Sequence, residues 1–212
     1  MMMRVVPAIL TDKKEEFLRL LKTAEGFAEQ IQIDIMDGKF VPSQSILKQD
    51  LQDLSSLSFT EAHLMVEDPL DWLDVFHKFG SKRIIFHFEI KNDRQKIISR
   101  IRSIGLEVGL AVNPETQIED FSFLVNSVDT VLFMSVIPGF YGSKFIPEVL
   151  TKIKEFKKSF PGKPIGIDGG IKLSNIKEVS SLGIDSICVG SAILKSENPA
   201  QAHKTFTQLI NT

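Results

Sequence analysis

Two apolar runs far apart in the chain each carry an aspartate near their end: Ile31-Gln32-Ile33-Asp34-Ile35-Met36-Asp37-Gly38 and Pro164-Ile165-Gly166-Ile167-Asp168-Gly169-Gly170. Two carboxylates on opposite sides of one pocket can take a proton from one face of a carbon and return it to the other. Strand periodicity puts Ile31, Ile33 and Ile35 on one face and Gln32, Asp34 and Met36 on the other. An isoleucine face suits helices, which leaves Gln32 and Asp34 facing inward. A carboxylate set among apolar neighbours is costly unless it is paired or bound to a metal. Asp37, before Gly38, reads instead as a turn former. His63 and Met65 share a face in Glu61-Ala62-His63-Leu64-Met65, and His63 gains weight from its expected convergence with Asp34 and Asp168. His87 reads as a core residue, and His77 and His203 as surface residues of helical stretches.

Glycine-bearing segments look built for an anion. Pro138-Gly139-Phe140-Tyr141-Gly142-Ser143 follows the sixth strand-like run, and Asp168-Gly169-Gly170 and Val189-Gly190-Ser191-Ala192 follow the seventh and eighth. In a parallel barrel, backbone amides after the last two strands form the usual phosphate site.

The elements that must position these groups alternate regularly. Strand-like runs cover residues 4–10, 30–36, 59–65, 83–87, 107–112, 130–135, 164–168 and 186–189. Helical stripes lie between and after them: Phe17, Leu20, Leu21 and Ala24; Ile97, Ile98, Ile101 and Ile104; Ile146, Val149, Leu150, Ile153 and Phe156; Leu173, Ile176, Val179 and Leu182; Ala202, Phe206, Leu209 and Ile210. Strict strand–helix alternation implies a parallel sheet. Eight units in 212 residues suggest closure into an α/β (β/α)8 TIM barrel, one domain over residues 1–212. An open doubly wound sheet is the alternative, but the Gly-x-Gly-x-x-Gly fingerprint is missing after the first strand.

Composition narrows the partners. A chain with 43% hydrophobic and 25% charged residues and a net charge of -2 gives no reason to expect nucleic acid or a membrane surface. Cys188 is the only cysteine, which excludes an internal disulfide and fits a cytoplasmic location; its setting reads as a buried strand thiol. No apolar run approaches the ~20 residues of a membrane span, and the polar turn at Thr11-Asp12-Lys13-Lys14 does not suit a secretory signal.

Taken together, the motifs resemble the ribulose-phosphate 3-epimerase family nearly end to end. The resemblance is carried by Pro7-Ala8-Ile9-Leu10-Thr11, Asp34-Ile35-Met36-Asp37-Gly38-Lys39-Phe40-Val41-Pro42, His63-Leu64-Met65, Asn113-Pro114-Glu115-Thr116, Met134-Ser135-Val136-Ile137-Pro138-Gly139-Phe140 and Asp168-Gly169-Gly170-Ile171. It implies a phosphorylated ketopentose substrate inverted at C3 through an enediolate, with Asp34 and Asp168 as the acid/base pair. It further implies a divalent metal of the zinc, iron, manganese or cobalt class held by Asp34, His63 and Asp168, and a homo-oligomeric state. Met36, Met65 and Met134 match methionines that line the reacting atoms; Gly142, Gly169, Gly170, Gly190 and Ser191 match the phosphate-holding segments.

Several positions depart from the family pattern. Gln32 stands where a fourth metal ligand is histidine, and Ala8 where the pocket has a serine. Ile137 replaces the asparagine before Pro-Gly, Tyr141 a loop glycine, and Gly166 a glutamate. A glutamine carbonyl is a weaker ligand than imidazole for zinc-like ions. Two other functions compete: a phosphosugar-binding homologue with weak or no catalysis, and a phosphate-binding barrel decarboxylase or aldolase. The latter relies on an Asp-x-Lys-x-x-Asp run on the third strand, whereas Glu61-Ala62-His63-Leu64-Met65-Val66 has no lysine.

Overall fold

A computed structural model describes residues 3–140 and 142–211. Eight parallel strands close into a barrel in chain order: β1 Arg4–Ile9, β2 Gln30–Met36, β3 Phe59–Met65, β4 Arg83–His87, β5 Glu107–Val112, β6 Thr130–Met134, β7 Ile165–Asp168 and β8 Ser186–Val189. The helices are α1 Lys14–Glu25, α2 Leu73–Phe79, α3 Arg94–Ser103, α4 Ile118–Phe121, α5 Glu148–Ser159, α6 Ile176–Ser180, α7 Ser191–Leu194 and α8 Pro199–Ile210. Between β2 and β3 the only helical element is a single 3-10 turn, Lys48–Leu51.

Local chemistry explains these boundaries. The Asp93 side chain accepts from the Gln95 and Lys96 amides and starts α3; the Asn198 side chain accepts from the Gln201 amide, with Pro199 at the first helical position of α8. Gly80 closes α2 in the left-handed conformation at φ 93°. Helix α1 carries Glu15 and Glu16 in its first turn and Lys22 in its last, matching the helix dipole. Its stripe Phe17, Leu20, Leu21 and Ala24 is fully buried against the barrel.

The strand faces divide the core into two shells. Ile31, Ile33 and Ile35 join the phenylalanines and isoleucines packed between barrel and helices. Inside the barrel a second cluster gathers Val6, Ala8, Ile85, Ala111, Leu132, Met134 and Cys188. This arrangement follows from the period-two alternation of β2, whose inward column is Gln30, Gln32, Asp34 and Met36.

Three boundaries differ by one residue from those read from the sequence: β1 ends at Ile9, β6 at Met134, and β7 starts at Ile165. A larger correction concerns the stripe beginning at Leu173. Helix α6 spans only Ile176–Ser180, and Leu173 lies outside it, 55% exposed on the loop after β7. The Asn175 side chain accepts the Lys172 amide and donates to the Gly170 carbonyl, so this stretch is a bonded loop instead of a first helical turn. Tyr141 lies outside the described residues.

Candidate active site

Parallel register delivers the candidate residues to one end of the barrel. Asp34 on β2 pairs with His63 on β3, Gln32 pairs with Ala8 on β1, and Asp168 sits between Met134 on β6 and Cys188 on β8. All of these point inward near the C-terminal ends of their strands, where barrels carry catalytic groups.

Four side chains meet there. The Gln32 amide is completely buried; its Nε2 donates to Asp34 Oδ1 at 2.8 Å and to Asp168 Oδ2 at 2.7 Å. Its Oε1 accepts from the Cys188 thiol at 3.0 Å. The His63 Nδ1 lies 3.0 Å from Asp34 Oδ1 and 3.4 Å from Asp168 Oδ2. Asp34 and Asp168 are therefore bridged twice, once by an amide and once by an imidazole. Their side chains keep 9% and 13% exposure toward the cavity above, while His63 has none.

Charge in this cluster is tightly coupled. Burial, reinforced by the neighbouring Asp168 charge, pushes the Asp34 carboxyl up from its ordinary value against the hydrogen bonds of His63 and Gln32. Burial alone would lower His63, but its contacts with Asp168 and Asp34 push it up to about 9. Both directions have one cause: the Asp34 and Asp168 carboxylates crowd the same His63 nitrogen, which favours positive charge on the imidazole and disfavours negative charge on Asp34. Burial also raises Cys188 well above the usual thiol range, which keeps its hydrogen in place for Gln32.

Metal fit can be judged from the donor set. One atom each of Asp34, His63 and Asp168 lie within 4.8 Å of one another, a mixed oxygen and nitrogen set suited to a divalent cation. Gln32 turns its N–H groups, not its carbonyl, toward both carboxylates. An amide rotation would exchange the two ends and offer Oε1 to the same place.

Above the cluster opens a cavity of about 450 Å³. Met36, Met65 and Met134 line it, as do Gly139, Gly142, Gly169, Gly170, Gly190 and Ser191. Two of these glycines have structural reasons of their own. Gly169 stands at φ 116°, and a Cβ there would lie 2.5 Å from Val136. Gly139, at φ 103°, packs on Val41 and Pro42, and its carbonyl accepts from the Ser43 hydroxyl at 2.6 Å. The loop after β6 thereby leans on the loop after β2. Gly166, the departure on β7, faces Leu132 and Ser186, whose atoms would stand 2.8 and 2.9 Å from an added Cβ. These two side chains fill the space a larger residue would need.

The structure also adds residues that sequence reasoning passed over. Lys172 and Lys195 line the same cavity, which gives it two cationic side chains near Gly170 and Ser191. Nothing in their local sequence distinguishes them from surface lysines. His87 is buried as expected, yet its Nε2 lies 3.0 Å from His63 Nε2, so it belongs to the site's surroundings. His203 is not a free surface residue: it is partly buried, with Nε2 3.0 Å from the Val5 carbonyl and its ring against Phe27. Asp37 shapes the turn, its Oδ1 accepting the Lys39 and Phe40 amides.

A closed parallel barrel with a buried carboxylate pair under a cavity at its C-terminal mouth defines a class of barrel enzymes. Its architecture matches 3-hexulose-6-phosphate synthase from Salmonella typhimurium with a TM-score of 0.73 at 17% identity, over 99% of each chain. That likeness shows the fold. Residues 4–194 match the ribulose-phosphate 3 epimerase family. The chain is 33% identical to the cytoplasmic isoform of ribulose-phosphate 3-epimerase from Oryza sativa subsp. japonica, over 93% of this chain and 90% of that one. It is also 33% identical to the Helicobacter pylori (strain ATCC 700392 / 26695) ribulose-phosphate 3-epimerase, over 92% of this chain and 93% of that one. The protein belongs to the ribulose-phosphate 3-epimerase family, a family of carbohydrate isomerases. Among the described residues no helix is long and apolar enough to cross a membrane.

Proposed function

We propose that the protein inverts C3 of a ketose phosphate, D-ribulose 5-phosphate or a close analogue, with Asp34 and Asp168 as the two proton-transfer groups. One observation carries the reading: carboxylates from β2 and β7, three strands apart around the ring, converge on the same Gln32 amide and the same His63 nitrogen and both line the cavity. In this reading a carbon held between them loses a proton to one carboxylate and receives one from the other, passing through an enediolate. Burial raises Asp34, which brings its proton affinity nearer to that task.

The other residues orient and enclose. Met36, Met65 and Met134 offer a polarizable, water-excluding lining for the planar intermediate. Gly142, Gly169, Gly170, Gly190 and Ser191 present backbone to the phosphate, and Lys172 and Lys195 add charge to hold it. A divalent cation held by Asp34, His63 and Asp168 would supply Lewis-acid stabilisation of the negative charge developing on the substrate. The direct test follows the C3 hydrogen of ribulose 5-phosphate by NMR in D2O with manganese or zinc supplied. Deuterium at C3 and accumulation of xylulose 5-phosphate are expected. Absence of exchange with every pentulose and hexulose phosphate tried would sink the reading.

The amide of Gln32 supports one second reading, a phosphosugar-binding homologue without turnover, because it engages both carboxylates at once. That reading expects ligand binding without exchange, and gain of exchange in a Gln32→His, Ala8→Ser double variant.

A further inference from the structure

Behind His63 runs a line of buried polar groups that proton transfer at the substrate does not use. His63 Nε2 lies 3.0 Å from His87 Nε2, and His87 Nδ1 lies 3.2 Å from Glu89 Oε2. Glu89 Oε1 accepts the Asn113 backbone N–H at 2.8 Å and the Thr116 hydroxyl at 2.5 Å. The loop that supplies these donors is itself clamped: Lys152 Nζ donates to the carbonyls of Asn113, Pro114 and Thr116 at 2.7, 2.9 and 3.0 Å. Both imidazoles are fully buried.

Counting hydrogens along this line leaves little freedom. Only one hydrogen fits between two facing Nε2 atoms. An ionised carboxylate only accepts, so Glu89 claims the hydrogen on His87 Nδ1. Burial would raise Glu89, but the hydrogen bonds from His87, Asn113 and Thr116 outweigh it and hold the carboxyl below its ordinary value. His87 is fully buried between that carboxylate and a second imidazole, so as a neutral ring it keeps its single hydrogen on Nδ1 and shows a lone pair at Nε2. The hydrogen between the two rings then belongs to His63. The opposite arrangement, with His87 donating, would leave Glu89 facing a bare ring nitrogen.

We propose that Glu89 and His87 are positioning residues that fix His63 with a hydrogen on Nε2, reserving Nδ1 for the cation or proton held between Asp34 and Asp168. The inference deepens the reading of His63 as a ligand, because a ligating nitrogen needs its hydrogen kept on the other one. Lys152 and Thr116 act at one remove, by holding Glu89 in place.

The test is made on the full-length protein labelled with 15N-histidine, using two-bond 1H–15N spectra recorded without metal and again with zinc. His87 is expected to show a hydrogen on Nδ1 and a bare Nε2 in both spectra, and zinc-loaded His63 a hydrogen on Nε2. A bare Nδ1 on His87, or a hydrogen on Nδ1 of zinc-loaded His63, overturns the proposal. Glu89→Ala is expected to mix the His87 tautomers and to weaken zinc binding about 10–100-fold in chelator competition. An unchanged His87 tautomer in that variant overturns it as well. If zinc fails to bind at all, the ligand reading of His63 fails by itself, and the metal-free His87 spectrum still decides this inference.

Discussion

Both ends of the barrel hold inward acidic side chains, Glu61 on β3 at one and Asp34 on β2 with Asp168 on β7 at the other, and they solve the problem differently. At the N-terminal end Glu61 accepts from Arg83 Nη1 at 2.8 Å, and the same guanidinium reaches Glu107 on β5. Burial raises Glu61, and the Arg83 charge opposes that rise with a permanent cation. At the C-terminal mouth Asp34 and Asp168 face each other across an amide and an imidazole, with no permanent cation among their hydrogen-bond partners. On the proposed function, the contrast separates a structural charge cluster from a reactive one: an Arg–Glu set that closes on itself holds strands in register, whereas a carboxylate pair without a fixed cation would stay available to a metal and a substrate.

Substitutions at the two ends should fail in opposite ways. The largest expected effect is at the mouth: Asp34→Asn or Asp168→Asn should lower kcat/KM for the epimerisation about 10²–10⁴-fold, with unchanged circular dichroism. Loss of the fold in either variant, or turnover within a few-fold of wild type, would erase the distinction. At the other end Glu61→Gln should cost roughly 3 kcal/mol of stability in urea titration, with kcat/KM nearly unchanged.

Between these lies a pH effect confined to the mouth. In metal-free protein His63 is raised from 6.5 to about 9, so its contribution to stability is complete below the unfolded value of 6.5 and is lost as pH climbs through 9. Urea midpoints should fall over that window by a few kcal/mol equivalent, and saturating zinc should flatten the fall. A flat profile in metal-free protein would mean the carboxylates find their positive charge elsewhere. The smallest effect sharpens the role of the amide. Gln32→His should tighten zinc at least about tenfold by adding an imidazole ligand, whereas an equal or weaker affinity would show that the glutamine already serves as a ligand.

How far these features could be read from sequence follows from their physics. Alternation along β2 was sufficient to turn Asp34 and Gln32 inward, because a period of two leaves no third option. The convergence of Asp34, His63 and Asp168 followed from strand order once eight strand–helix units were counted. Lys172 and Lys195 were invisible because long polar side chains on loops have no periodicity, and only the closed ring brings them to one cavity. The His87–Glu89 line needed the pairing of β3 with β4, which no local pattern in either strand encodes. The stripe at Leu173 misled because an i, i+3 spacing scores apolar residues without asking whether the Gly170–Asn175 loop prefers its own hydrogen bonds.

On the proposed function, Asp34 and Asp168 act from opposite faces of one carbon. The most direct test incubates Asp34→Asn and Asp168→Asn separately with each C3 epimer, ribulose 5-phosphate and xylulose 5-phosphate, in D2O, and follows the C3 hydrogen by NMR. Each variant should exchange the C3 hydrogen of one epimer only, without inversion, and the two variants should choose opposite epimers. Exchange of the same epimer by both variants, or of both epimers by either one, would contradict the assignment of Asp34 and Asp168 to opposite faces.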